Sequence, residues 1–169
     1  MIVHAFHATP LGRLLLVGER GPEGNLLLTG IYMAQHRRGP GVDPASVEDA
    51  RAFGEVTRQL DEYLAGSRRS FDLPLAPAGT TFQSRVWDAL ARVKWGTTVT
   101  YGELAVRAGR PGAARAVGAA VGRNPISIVV PCHRVVGAHG TLTGYAGGVD
   151  RKAFLLALEG AAAIGPAAR

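Results

Sequence analysis

Thr100-Tyr101-Gly102-Glu103-Leu104-Ala105-Val106-Arg107-Ala108-Gly109-Arg110-Pro111-Gly112-Ala113-Ala114-Arg115-Ala116-Val117-Gly118-Ala119-Ala120-Val121 reads as two short helices around a tight turn. Thr100 and Glu103 stand three apart, the spacing at which a threonine hydroxyl and a carboxylate each satisfy the other's backbone N–H and open a helix, here through Ala108. Gly109-Arg110-Pro111-Gly112 is a turn cluster, and residues 113–121 form a second helix of small residues. The layout is that of a helix–turn–helix. Its second helix carries Ala, Gly and Arg where a solvated helix usually carries Glu, Lys or Gln. Small side chains let a backbone approach another surface closely. That surface is either a neighbouring helix or a ligand, and Arg115 together with the lack of apolar bulk argues against complete burial.

Working outward, Thr81 is placed to cap a helix whose face is Phe82, Val86, Leu90 and Val93. Asn124-Pro125 reads as a turn, residues 126–130 as an apolar strand-like run, and Asp150 as the cap of a last helix with Phe154, Leu155 and Leu158 inward. The Gly/Ala/Pro tail after Gly160 reads as frayed. On the other side, residues 1–34 read as short strands, with Leu14-Leu15-Leu16-Val17 and Leu26-Leu27-Leu28 separated by Gly21-Pro22-Glu23-Gly24. Residues 36–45, rich in Gly, Pro and Arg, read as a mobile loop. Residues 47–64 have helical periodicity through Phe53, Val56, Leu60 and Leu64, with Gly66 as the stop. Residues 72–80 hold two prolines and read as a linker. The expectation is an α/β chain of two domains: 1–78, a small N-terminal β-sheet with a helix, and 79–169, mainly helical, winged-helix-like, with the helix–turn–helix.

Composition narrows the function. Of the 169 residues 47% are apolar, enough for a core, and no 18-residue apolar run reads as a membrane span. The start Met1-Ile2-Val3-His4-Ala5-Phe6-His7 lacks the basic-then-apolar pattern of a signal peptide. Charge is unevenly spread. Residues 1–79 hold eight arginines and nine acids, net −1, whereas residues 80–169 hold nine arginines, two lysines and four acids, net +7. A concentrated positive field is the footprint of phosphate binding, or else a solvated basic surface.

The basic half also holds the single cysteine, in Pro131-Cys132-His133-Arg134-Val135-Val136. One cysteine forms no internal disulfide and no multi-cysteine zinc site, and a free thiol suits the reducing cytoplasm. Cys132 is then a small buried hydrophobe or a nucleophile. A thiolate needs a base or a positive charge beside it, and His133 and Arg134 offer both. In an extended chain, however, adjacent side chains point to opposite faces, which sets Cys132 and His133 apart.

Pro-Cys-His-Arg-Val-Val, with Tyr101-Gly102-Glu103-Leu104-Ala105, Ala113-Ala114-Arg115-Ala116-Val117-Gly118, Asn124-Pro125 and Gly144-Tyr145-Ala146-Gly147-Gly148 in the same order and spacing, resembles the O6-alkylguanine-DNA alkyltransferases, or methylated-DNA–protein cysteine methyltransferases. The resemblance is strong over residues 80–160 and weak before them. It implies single-turnover repair of double-stranded DNA containing O6-alkylguanine, and O4-alkylthymine, with the alkyl group moved irreversibly to Cys132 and no cofactor. His133 would act as base through a bridging water, oriented by Glu159. Asn124 would tie the second helix to the active-site segment. That helix, with Ala113, Ala114 and Gly118, would enter the minor groove. Arg115 would replace the extruded nucleotide and Tyr101 would crowd the target's 3′ phosphate, because O6 of guanine cannot meet a protein thiol inside the stack. Val135 would offer its carbonyl to the exocyclic amine, with Tyr145 and Ala146 lining the guanine pocket. A thiol in such a relay should titrate below the usual cysteine range.

The resemblance also implies a monomer in solution, with cooperativity on DNA left open. The zinc site of some relatives is not expected: a second cysteine is lacking, and His4 and His7 read as surface strand residues. Ala146 stands where some relatives have serine. An alkyltransferase-like sensor of damaged DNA would lack Cys132, and a cysteine hydrolase would have no use for a basic helix–turn–helix. If the +7 half is the docking face, neutralising about four phosphates should cost roughly 100-fold in duplex affinity between 50 and 200 mM salt. A binding titration across that range checks it, and a flat response excludes that face.

Overall fold

The computed structural model describes residues 1–161 and 164–166, the last three as backbone only. The chain divides into two compact units. One comprises Met1–Ala78 with Pro125–Ser127, the other Gly79–Asn124 with the chain from Ile128 onward.

In the first unit, strands β1 (Ile2–Thr9), β2 (Gly12–Arg20), β3 (Leu26–Met33) and β4 (Val47–Glu48) form a sheet in the order β3-β2-β1-β4. β1–β2 and β2–β3 are antiparallel, and β4 runs parallel to β1. Alternation sets the faces: Val3, Ala5, Leu14, Leu16, Leu28 and Ile31 are buried. They share the unit's core with Phe53 and with Val56, Leu60 and Tyr63 of α1 (Gly54–Leu64). The helix begins later than its periodicity predicts. Val47 and Glu48 pair with Val3 and His4, and Asp49 caps a separate 3-10 turn over Ala50–Phe53. Gly66 stops α1 with φ of +80°, a conformation open to glycine at little cost.

The expected linker over 72–80 instead pairs in part with β3. Leu28 N–H donates to Pro74 O and Ala76 N–H to Leu28 O, each at 2.9 Å. The prolines do not block this pairing, because it uses a proline carbonyl and not the missing N–H. Ile31 N–H likewise donates to Pro125 O. His4 is not a surface residue: it is 7% exposed and its Nδ1 lies 2.7 Å from Ser46 Oγ. His7 reaches Asp61 at 2.6 Å. The segment from Pro40 to Ser46 lines, with Ile2, His4 and Tyr32, a cavity of about 560 Å³.

The second unit is built on α2 (Thr81–Ala91), α3 (Tyr101–Arg107), α4 (Ala114–Val121) and α5 (Val149–Leu158). Short parallel pairs join β5 (Val99–Thr100) to β6 (Val135–Val136) and β7 (Thr141–Leu142) to β8 (Ile164–Pro166). β8 orders part of the tail that reads as frayed; the rest of that tail lies outside the described residues. The α3 capping box is present as the spacing requires, with Thr100 accepting from Glu103 N–H and Glu103 accepting from Thr100 N–H.

The cap of α2 is Thr80 rather than Thr81. Only Thr80 has Gln83 three residues on, and both reciprocal bonds form. Val86, Leu90 and Val93 are buried as the pattern predicts. The residue that joins α2 to α4, however, is Trp87, whose Nε1–H donates to Ala120 O at 2.9 Å. A Cβ at Gly79 would collide with the Trp87 ring, so that glycine is required by close packing. In α5, Phe154 faces out at 41% exposure, and the buried face is Lys152, Leu155, Leu156 and, at the helix end, Glu159. Gly148, not Asp150, stands at the cap; Asp150 lies in the first turn.

Thr80→Ala should lower stability by about 1 kcal/mol through loss of the capping box, while Thr81→Ala should cost less than half of that. Equilibrium denaturation of the two variants checks the assignment.

Candidate active site

The apolar run before the cysteine is not a strand. Only Ile126 makes a bridge, with Ile31. Ile128 then turns the chain at φ of +73°, a region a β-branched residue rarely enters. Holding it there costs on the order of 1–3 kcal/mol, and complete burial of the side chain keeps it in place. Cys132–Arg134 follows as a 3-10 turn, not an extended segment, with Cys132 N–H donating to Val130 O at 2.8 Å and Arg134 N–H to Pro131 O at 3.0 Å. Asn124, 3% exposed at the end of the α4 turn, spans the loop. Its Nδ2 donates to Val130 O at 2.8 Å, and its side chain also hydrogen-bonds the Cys132 thiol.

The turn presents three buried side chains in succession. Asn124 and Tyr145 lie by the Cys132 thiol and both favour its charged form. His133 turns Nε2 to Glu159 Oε1 at 2.7 Å. Arg134 grips the same carboxylate with Nε on Oε2 at 2.9 Å and Nη2 on Oε1 at 2.8 Å, and its Nη1 donates to Val93 O. Glu159 is therefore no solvated helix-end residue but is 4% exposed, shared between a guanidinium and an imidazole. A carboxylate only accepts, so the proton between Glu159 and His133 belongs to His133 Nε2, and Nδ1 keeps its lone pair.

Burial pushes His133 below the usual histidine range. The Glu159 hydrogen bond opposes that shift, and the Arg134 and Lys152 charges reinforce it. His133 is thus a neutral acceptor. Burial likewise pushes the Cys132 thiol up, outweighing Asn124, Lys152 and Tyr145. This overturns the expectation of a thiol below the usual range. The resting group is a protonated thiol, and desolvation is the reason.

Around this centre, Tyr101 opens α3 with its hydroxyl 3.0 Å from Thr143 Oγ1, and its ring lies over Gly118, where a Cβ would meet it at 3.5 Å. Arg115 is exposed on α4 beside exposed Ala116 and Ala119, with Ala113, Ala114 and Gly118 half-buried. Tyr145 and Ala146 are half-buried in the loop before α5. Val135 O is already engaged, accepting from Lys152 Nζ at 2.5 Å. The structure thus brings together Cys132, His133, Glu159, Asn124, Val135 and Tyr145. Sequence reading gives Arg134 no role beyond its charge, and gives none to Lys152 or Thr143. Arg134 sits inside the motif, but nothing in its spacing separates a buried ion-pair partner from a phosphate contact.

Two family models match the chain: the 6-O-methylguanine DNA methyltransferase DNA-binding domain over residues 81–161 and its ribonuclease-like domain over residues 2–77. A methylated-DNA–protein-cysteine methyltransferase of Methanosarcina acetivorans is 49% identical over 157 residues, covering 93% of this chain and 97% of its own. The chain belongs to the methylated-DNA–protein-cysteine methyltransferase family. The enzyme of that name from Mycolicibacterium paratuberculosis is also 49% identical, over 94% of this chain and 93% of its own. Among solved structures, the O6-methylguanine methyltransferase of Mycobacterium tuberculosis superposes with a TM-score of 0.83 at 44% identity, covering 95% of this chain and 93% of that one. A second structure from that organism, in complex with DNA, matches at the same identity and TM-score over 93% and 92%. The α/β architecture, the helix–turn–helix and the place of the chain among DNA-binding alkyltransferases follow from these matches. No helix among the described residues is long and apolar enough to cross a membrane.

Acid sensitivity of a definite sign follows from the depressed His133. Its folded pKa lies below its unfolded value, so the unfolded chain binds the proton more readily. The His133 contribution to stability is present above the unfolded value, near 6.5, and is lost as pH falls below it. Denaturation midpoints should drop between about pH 7 and pH 5, and His133→Gln should flatten that limb. An equal slope in both proteins would assign the acid sensitivity elsewhere.

Proposed function

We propose that the chain repairs O6-alkylguanine, and O4-alkylthymine, in double-stranded DNA by moving the alkyl group to Cys132, each molecule reacting once. The observation that supports this reading is a buried thiol with Asn124 and Tyr145 beside it, next to a histidine locked on a carboxylate. The unit that holds it also exposes Arg115 on a helix of small residues. Residues 79–169 would form the DNA-binding and alkyl-transfer domain, and residues 1–78 an N-terminal α/β domain. The protein would act as a cytoplasmic monomer.

On duplex DNA α4 lies in the minor groove, Ala113, Ala114 and Gly118 allowing close approach. Arg115 fills the place of the rotated nucleotide while Tyr101 crowds its 3′ phosphate, at a few kcal/mol of unstacking. The flipped guanine enters beside Tyr145 and Ala146, and its exocyclic amine meets the Val135 carbonyl. The Cys132 proton passes through a bridging water to His133 Nδ1, and Glu159 stabilises the imidazolium. Sulfur then attacks the alkyl carbon, a C–S bond forms, and the C–O6 bond breaks. The electron pair leaves with guanine, which takes a proton from the Tyr101 hydroxyl or from solvent. The product thioether has no group to reverse it.

Intact-mass analysis after incubation with duplex O6-methylguanine DNA should show one methyl group per chain, on Cys132, with no further turnover. Cys132→Ser should abolish transfer. Arg115→Ala should slow repair of duplex DNA at least tenfold more than reaction with free O6-benzylguanine, which needs no flipping. Repeated turnover sinks the suicide mechanism, and equal losses on the two substrates remove Arg115 from flipping.

A further inference from the structure

Tyr101 and Thr143 stand 42 positions apart in sequence, yet their hydroxyl oxygens lie 3.0 Å from each other. Both side chains are half-buried. Among the described residues, neither hydroxyl has a second hydrogen-bond partner. The threonine is held by its other branch. A Cβ at Gly137 would come within 2.8 Å of Thr143 Cγ2, so the glycine makes room for the methyl group. Leu142, the residue before it, is anchored in a cluster with Val136 and Leu156. A β-branched side chain is stiff at χ1, so a methyl seated on Gly137 fixes the hydroxyl on Tyr101. On the tyrosine side, the ring lies over Gly118 of α4. A valine would fill the threonine site with a methyl group in place of the hydroxyl, so packing alone does not call for an oxygen there.

We propose that Thr143 is a positioning residue for the leaving group: its hydroxyl donates to Tyr101 Oη, turns the tyrosine proton towards the guanine and holds the phenolate that forms as that proton departs. This rests on the reading above, in which the alkyl group goes to Cys132 and Tyr101 faces the guanine. As the C–O6 bond breaks, its electron pair goes to guanine, the Tyr101 proton goes to a ring nitrogen of guanine, and the negative charge moves to Tyr101 Oη. A hydrogen bond to a charged oxygen is about twice as strong as one between neutral groups, so the Thr143 bond strengthens just as that charge develops. Donation by Thr143 also polarises the tyrosine hydroxyl and makes it the better donor. Water then returns a proton to Tyr101, and His133 releases to water the proton taken from sulfur. Two pairs divide the work: His133 and Glu159 act on the nucleophile, Tyr101 and Thr143 on the leaving group.

Single-turnover transfer to two free bases, O6-benzylguanine and its 8-bromo derivative, tests this, with intact mass and peptide mapping of Cys132 as the readout. Both bases present the same benzyl carbon to sulfur, and neither needs flipping, which removes the other task of Tyr101. The bromine withdraws electrons and stabilises the departing guanine, so the second base depends less on a proton. Thr143→Val should be about tenfold slower than the parent on O6-benzylguanine, the order of one hydrogen bond to a group taking on charge. It should lose clearly less on the 8-bromo base. Thr143→Ser, which keeps the hydroxyl, should recover most of the rate. Equal losses on the two bases, or rates unchanged on both, overturn the role of Thr143.

A double-mutant cycle separates the hydroxyl contact from any effect of the substitution on packing. In Tyr101→Phe there is no phenol oxygen for Thr143 to hold, so adding Thr143→Val should change the rate little. Additive losses overturn an action through Tyr101. Tyr101→Phe as fast as the parent on O6-benzylguanine overturns tyrosine as the proton source, and the role of Thr143 with it. A parent protein that is not alkylated at Cys132 overturns the acceptor instead.

Discussion

The Glu159 carboxylate, buried and shared by Arg134 and His133, is the interaction on which the active centre depends. It joins the end of α5 to the turn that carries the cysteine, two segments 25 residues apart in sequence. Burying an arginine and a glutamate is expensive, and it is repaid only when geometry and further hydrogen bonds are complete. Here they are: two guanidinium bonds to the carboxylate, a third to Val93 O, and the imidazole on the remaining oxygen lobe. One carboxylate thereby does two things. It fixes the fold of the turn through Arg134, and it fixes the tautomer of His133. Loss of Glu159 would leave Arg134 as an unpaired buried charge, a defect of about 3–5 kcal/mol. A kinetic effect of Glu159→Gln must for that reason be separated from instability before it is ascribed to proton transfer.

The second constraint is backbone geometry before the cysteine. Ile128 sits in a left-handed conformation, and the turn it allows lets Asn124 reach both the Val130 carbonyl and the thiol. An extended chain would put Cys132 and His133 on opposite faces, with nothing to hold either. The 3-10 turn instead sends the thiol towards Asn124 and Tyr145 and the imidazole towards Glu159. Strain at a buried residue next to a reactive group is tolerated because the surrounding packing overdetermines it.

Much of this was legible in the sequence, and the reason differs from place to place. Local signals worked where local physics decides. The capping box at Thr100 and Glu103, the glycine stop at Gly66 and the Gly109–Gly112 turn each concern groups within four residues, and the structure has all three. Periodicity failed where a partner distant in sequence intervened. Val47 and Glu48 continue a helical pattern but pair with β1, and Phe154 belongs to an apolar helix but faces out. The 126–130 run has strand composition, yet no local rule announces a β-branched residue at positive φ. Lys152 and Arg134 were illegible for another reason: a charged residue reads as solvated, and only three-dimensional packing reveals that both lie inside. Glu159 was found through the family pattern alone, since by position it is a poor choice for a helix end.

Desolvation then explains how one site can be both quiet and reactive. Burial raises the thiol and lowers the imidazole, so at neutral pH the resting pair is uncharged and no thiolate is exposed to oxidants. The same burial gives any charge formed there a strong interaction with its neighbours, since the effective dielectric is low. In the proposed transfer, a proton moved from sulfur to His133 would leave an anion beside Asn124 and Tyr145 and a cation beside Glu159. On that proposal the groups that would stabilise the reacting state are ordered before substrate arrives, which is what makes fixed dipoles and charges effective in catalysis. A single-use reagent gains particularly from this arrangement. It has no second turnover in which to recover from a side reaction, so a thiol that ionises only in company with its base is the form in which one cysteine can be kept until it is needed.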